Sequence, residues 1–184
     1  MTWKCWSSGM PMQSDRWDAV DWKRRATLDL FWGEPPPGRI QNKLHAIEEK
    51  LARNASPAQG VKTLLENLRR GDYSLGILTL NTRENAWFTL EALGLAQYFR
   101  EEFVIGRWCE EPKPSPKGIY KMLKQWKVTA NDALMVGDFL YDLQVGRAAE
   151  TATVHVDPSG EFAWPELADI QVNSLDELAG LLPK

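Results

Sequence analysis

Cysteine is nearly absent: only Cys5 and Cys109 occur in 184 residues, far apart and outside any Cys-x-x-Cys spacing. That excludes a disulfide framework, supplies no zinc-site pattern, and fits a reducing, cytoplasmic setting. No apolar run approaches the roughly 20 residues that a bilayer span requires, and the first residues carry no apolar core of signal-peptide type. Neither membrane insertion nor export is therefore expected. An excess of basic charge is missing too. With 22 Lys and Arg against 25 Asp and Glu the net charge is −3, which offers no broad basic surface for nucleic acid, and the run Lys23-Arg24-Arg25 is too short to change this. Internal repeats are lacking. What remains is ordinary globular material, 43% hydrophobic and 26% charged, enough for one core with a small leading or inserted subdomain. Tryptophan departs from that pattern. Of nine, Trp3, Trp6, Trp17 and Trp22 lie near the start, where they either pack on the body or form an interaction surface.

From Tyr73 onward short apolar runs alternate with helical patterns, the signature of a parallel sheet wound with helices. Ser74 to Leu80, Phe103 to Ile105, Ala133 to Val136, Thr151 to Val156 and Ile170 to Val172 read as strands. Between them, Asn85 to Leu93 has helical spacing with Gly94 as its stop, a helix runs to Trp126, and Leu140 to Ala149 forms another. The last helix is expected to begin at Ser174, with Glu177 three residues on completing a capping box. The prolines of Glu111-Pro112-Lys113-Pro114-Ser115-Pro116 are expected to hold that loop extended. Before Tyr73 the pattern is helical: Ile40 to Arg53 is amphipathic, and a second helix starts at Ser56 or Pro57 and stops at Gly71. Trp17 to Arg25 offers a third, separated by the stiff linker Glu34 to Gly38.

Functional groups in an open parallel sheet gather where strands end at their carboxyl edge. Three strand ends here carry polar residues suited to phosphate. After the first strand, Thr79-Leu80-Asn81 offers a hydroxyl, an amide and backbone N–H groups to phosphate oxygens, although a Thr at a strand end is more often structural. After the second, Lys113 is a cation on a proline-stiffened backbone, which suits phosphate as well as a solvated loop. After the third, Asp138 leaves the strand and Asp142 follows one helical turn later on the same face. Two carboxylates so close call for a cation between them, and the alternative is a helix cap followed by a solvated Asp. His45 on a helix pattern and His155 on a strand pattern read as structural. No Gly-x-Gly-x-x-Gly follows any strand, which argues against a dinucleotide-binding dehydrogenase.

Taken together and in this order, the three strand ends resemble the haloacid dehalogenase superfamily, over about residues 60 to 182. The strings LGILTLNTRENA, KPSP, MVGDFLYDLQVGRAAET and VNSLDELAGLL carry the similarity. The resemblance implies a Rossmann-like α/β fold with a small helical cap of the phosphoglycolate-phosphatase-like subgroup, and a Mg²⁺-dependent phosphatase acting on a small phosphorylated metabolite. Thr79 stands at the second motif and would bind phosphoryl oxygens with Asn81. Lys113 stands at the third and would neutralise the phosphoryl group, while Asp138 would hold Mg²⁺ with Asp142 supporting the metal shell. The implied division is a degenerate first-motif segment at 1–14, the cap at 15–56 and the α/β core at 57–184. One element departs from the pattern. Family phosphatases carry Asp-x-Asp-Gly-Thr, whose first Asp attacks phosphorus and whose second is acid and base, and no Asp-x-Asp occurs in this chain. Asp29 and Cys5 are the substitutes to weigh. Three readings stay open: a phosphatase with another nucleophile, a member that binds a phosphorylated ligand or a protein without turnover, and a truncated form of an active enzyme.

Overall fold

The computed structural model describes residues 38–182. The expected first-motif segment, the helix at Trp17 to Arg25, the linker after it, most of the cap, the early tryptophans, Cys5 and Asp29 lie outside the described residues.

The described chain opens with helix α1 (Gly38–Arg53) and helix α2 (Val61–Arg70). Then come β1 (Ile77–Leu78), α3 (Arg83–Ala92), β2 (Val104–Ile105), α4 (Lys117–Trp126) and β3 (Leu134–Gly137). Helix α5 (Leu140–Ala148), β4 (Ala152–Val156), β5 (Ile170–Val172) and α6 (Leu175–Leu181) complete it. Every strand pairing is parallel, as helical crossovers require. Among the described residues the strands form two hydrogen-bonded groups, β1-β2 and β3-β4-β5.

Adjacent residues of the strands serve opposite faces. Ile77, Val104 and Val136 join a core built with Leu64, Leu65 and Leu68 of α2 and Leu178 of α6. Their neighbours Leu78, Ile105 and Met135 join a second core with Ile119, Met122 and Leu123 of α4 and Val145 of α5. The period of two thus buries both faces, giving three layers with the sheet in the middle. Two glycines set the spacing of the second layer. A Cβ on Gly118 would meet the Leu78 side chain, and one on Gly146 would meet Thr153 and Met135, so α4 and α5 lie close on the strands.

Local signals explain most element ends. Val61, Leu64, Leu65 and Leu68 form one buried stripe along α2. Thr82 caps α3 by accepting from the Asn85 N–H at 3.2 Å, and Gly94 ends that helical segment at φ 66°. At α6 the Ser174 hydroxyl accepts from the Glu177 N–H at 3.2 Å while the Glu177 carboxylate accepts from the Asn173 N–H at 2.8 Å. Two expectations need correction. Helix α2 starts at Val61 rather than Ser56 or Pro57, because Gly60 sits at φ 80° and packs against the backbone of Asp176. The proline loop does not run extended: the Ser115 N–H donates to the Pro112 carbonyl at 3.0 Å in a tight turn, and the Lys113–Pro114 peptide is cis.

Candidate functional site

Strand β3 ends at Gly137, and the chain turns at once into α5. A Cβ on Gly137 would overlap the side chain of Asp142, so only glycine lets the helix start so close to the strand. Asp138 follows, half-buried at the carboxyl end of the sheet. Asp142 is buried, and both of its oxygens are engaged. Oδ2 accepts from the Phe139 N–H at 3.2 Å, capping α5, and Oδ1 accepts from the Lys113 ammonium. Lys113 and Asp142 form an ion pair with side-chain exposure of 2% each.

This ion pair ties the loop after β2 to the helix after β3, which brings the carboxyl ends of the two strand groups to one side. Lys113 and Asp142, separated by 29 positions in sequence, are therefore brought together. The loop after β1 is ordered by its own bonds. Thr79 is buried, its N–H donates to the Ile105 carbonyl at 3.0 Å, and its hydroxyl accepts from the Asn81 N–H at 3.1 Å. The Asn81 carbonyl in turn accepts from the Arg107 N–H at 2.8 Å. Gly106 permits that approach, since a Cβ there would strike the backbone at Thr82 and Arg83. The sheet-edge loops carrying Thr79 and Asn81 are thus locked to the residues that follow β2.

Several nearby groups escaped the sequence reading. Arg83 donates through Nε to the Val104 carbonyl at 2.8 Å, and Arg107 lies over the Trp108 ring at 5.5 Å. The signal for Arg107 was its place directly after Gly106 at a strand end. A row of rings also flanks Asp138. Phe139 lies 5.7 Å from Tyr141 and 5.3 Å from Trp164, and Trp164 lies 5.6 Å from His155. Phe162 meets the other side of His155 at 5.6 Å. His155 is 1% exposed, and among the described residues its Nδ1 has no hydrogen-bond partner. The loop that carries Phe162 and Trp164 is latched by Asp157, which accepts from the Ser159 hydroxyl at 2.7 Å, the Ser159 N–H at 2.9 Å and the Phe162 N–H at 2.9 Å. Burial pushes the Asp157 carboxyl up, but these bonds and the nearby His155 outweigh it and hold the group below its ordinary value.

Among the described residues, no three His, Cys, Asp or Glu side chains come together as a metal cage. The donor set is instead a half-buried carboxylate at Asp138 beside an acceptor, Asp142, already engaged by Lys113. Such a set fits Mg²⁺, which keeps several waters and takes one or two carboxylates from the protein, with Asp138 as the residue that would hold it.

Comparison with known proteins places this geometry. A family model described as haloacid dehalogenase-like hydrolase matches residues 25–156. The chain is similar to the pyrophosphatase PpaX of Listeria welshimeri, with 33% identity over 99 residues covering 53% of this chain and 45% of that protein. It thus spans less than half the length of that relative. Among solved structures it is similar to a HAD phosphatase from Thermococcus onnurineus, with a TM-score of 0.66, 25% identity, and coverage of 87% of this chain and 79% of that one. A predicted phosphoglycolate phosphatase from Haemophilus somnus has the same fold, with a TM-score of 0.63, 21% identity, and coverage of 68% and 57%.

Proposed function

The chain belongs to the haloacid dehalogenase-like hydrolase family, and on that footing we propose that its sheet edge binds a small phosphorylated metabolite together with Mg²⁺. The observation that carries this reading is the buried Lys113–Asp142 pair, which joins the loop after β2 to the helix that follows Asp138. Lys113 supplies positive charge to the phosphoryl group, and the Thr79 hydroxyl, whose oxygen accepts from the Asn81 N–H, supplies its own proton to a phosphoryl oxygen. Asp142 positions Lys113 and caps α5. Asp138 is the residue to hold Mg²⁺, which when bound would draw charge from the phosphoryl oxygens. Helix α1 falls within the small helical cap assigned to residues 15–56. Phosphatase and pyrophosphatase names among the relatives support a hydrolytic lineage.

We expect little turnover from these 184 residues, whether the protein has lost its first motif or carries it in a segment outside them. Hydrolysis in this lineage proceeds through a carboxylate nucleophile, and no Asp-x-Asp occurs in the 184 residues. Loss of an activated nucleophile leaves only the residual rate that binding groups provide. The test has two arms. Mg²⁺ with inorganic phosphate is expected to raise the melting temperature, and Asp138→Asn and Lys113→Ala to abolish the rise. Hydrolysis of p-nitrophenyl phosphate is expected to stay at the level of the Lys113→Ala protein. A Mg²⁺-dependent turnover on the order of 1 per second would overturn the non-catalytic reading and send the search for a nucleophile to Asp29 and Cys5. Absence of any phosphate-dependent stabilisation would overturn the site itself.

A further inference from the structure

We propose that the ring row beside Asp138 selects a phosphomonoester whose leaving group is a planar aromatic body rather than a short aliphatic one. This rests on the phosphate-site reading above and deepens it.

The row is continuous, with Tyr141, Phe139, Trp164, His155 and Phe162 at centroid spacings of 5.3 to 5.7 Å. Its middle and its ends differ. Tyr141, Phe139 and Trp164 on one side and Phe162 on the other are half-buried, whereas His155 between Trp164 and Phe162 is 1% exposed. The fold does bury phenylalanine where it serves the core, since Phe99 and Phe103 are both 8% exposed. The rings beside the phosphate edge are therefore left partly in water while tightly backed. Partly wet apolar area gains roughly 25 cal/mol for each Å² that a ligand covers.

The row is also held still. Phe139 follows Asp138 directly, and its N–H is bonded to the carboxylate that anchors Lys113, so the first ring and the phosphate-facing ammonium share one support. Trp164 is supported from the other end. Its loop folds on Asp157, and Phe162 adopts φ 45°, a backbone conformation unfavourable for a bulky residue, with its N–H on the Asp157 carboxylate. The His155 Nδ1 goes without a hydrogen bond inside this packing. Leaving a buried polar atom so and bending Phe162 both cost stability, and both fall on the side of Trp164 away from Phe139, where His155 packs on Trp164 and Phe162 on His155. Phe139 stands edge-on to Tyr141 and to Trp164, at interplanar angles of 67° and 79°, so a flat partner stacks on one ring and meets the edge of the next. A ring held in this way binds a flat partner without spending affinity on ordering itself, and a small aliphatic leaving group covers little of it.

Isothermal titration of the full chain in Mg²⁺ with 1-naphthyl phosphate, glycerol 3-phosphate, inorganic phosphate and 1-naphthol tests this. The expected result is 1-naphthyl phosphate about tenfold tighter than glycerol 3-phosphate, the size of one good aromatic contact. 1-Naphthol alone should be weaker than 1-naphthyl phosphate. Trp164→Leu, which keeps apolar volume but removes the ring face, should erase the preference and leave inorganic phosphate binding unchanged. Phe139→Leu is the second variant should Trp164→Leu fail to fold. Equal affinity for the two esters, with both lost in Lys113→Ala, overturns the aromatic selection and keeps the phosphate site. A preference that survives Trp164→Leu and Phe139→Leu overturns the row as its source. Failure of inorganic phosphate and both esters to bind overturns the site reading, and the inference falls with it.

Discussion

Removing one partner of the Lys113–Asp142 pair is expected to destabilise the protein more than removing both. The two side chains are each 2% exposed, so a single truncation leaves a charge in the interior with neither water nor counterion. For a buried pair that costs about 3 to 5 kcal/mol, whereas an exposed pair would cost about 1 kcal/mol or less. Lys113→Met leaves the Asp142 carboxylate with only the Phe139 N–H as donor. Asp142→Leu strands the ammonium and also removes the cap of α5. The double variant Lys113→Met/Asp142→Leu replaces the pair by apolar volume and should cost only the lost cap, about 1 kcal/mol. The three proteins and the parent form a double-mutant cycle, read by urea unfolding followed by circular dichroism. Each single variant is expected to lower the melting temperature by roughly 6 to 20 °C on the scale for a domain of this size, and the double variant by much less. If each single variant costs less than about 1 kcal/mol, or the effects simply add, the pair is not the buried strut that joins the two loops. The reasoning about Lys113 as a cation fixed at the start of α5 would then fail.

The latch at Asp157 makes a pH prediction. Its carboxyl lies below its ordinary value in the folded state, so its contribution is complete above the unfolded value near 3.9 and fades as pH falls through the lower folded value. Asp157→Asn should therefore lose stability at pH 6 by about 1 to 2 kcal/mol, with the gap to the parent closing below about pH 4. A constant gap at all pH values would refute the assignment. Gly137→Ala should push Asp142 off the ammonium, because the new Cβ overlaps its side chain, and cost at least about 2 kcal/mol. A urea midpoint equal to the parent's would show that α5 can shift without loss.

Short-range pattern alone determined the order of strands and helices, because strand burial has a period of two and caps act over three or four residues. Ser174 with Glu177 is such a case: the Ser174 hydroxyl caps the Glu177 N–H within one turn, so the cap was legible, although the Glu177 carboxylate returns to the Asn173 N–H and not to that of Ser174. So was the placement of Thr79, Lys113 and Asp138 after successive strands, and the one-turn spacing that sets Asp142 behind Asp138. The partner of Asp142 was not legible. The spacing called for a cation or a positive side chain beside the two carboxylates, and the fold supplies Asp142 with an ammonium 29 residues away, since burial forces a carboxylate to take the cation that packing delivers. The start of α2 was settled the same way, by Gly60 meeting Asp176 from the other end of the described chain. The ring row was invisible in sequence for a related reason: Tyr141 and Phe139, His155, and Phe162 with Trp164 sit on separate segments, and only the parallel pairing of β3 with β4 sets Gly137 opposite His155 and brings their following loops together. Periodicity reports which face of an element is covered. Which residue covers it depends on contacts between distant segments, and those exist only once the sheet has assembled.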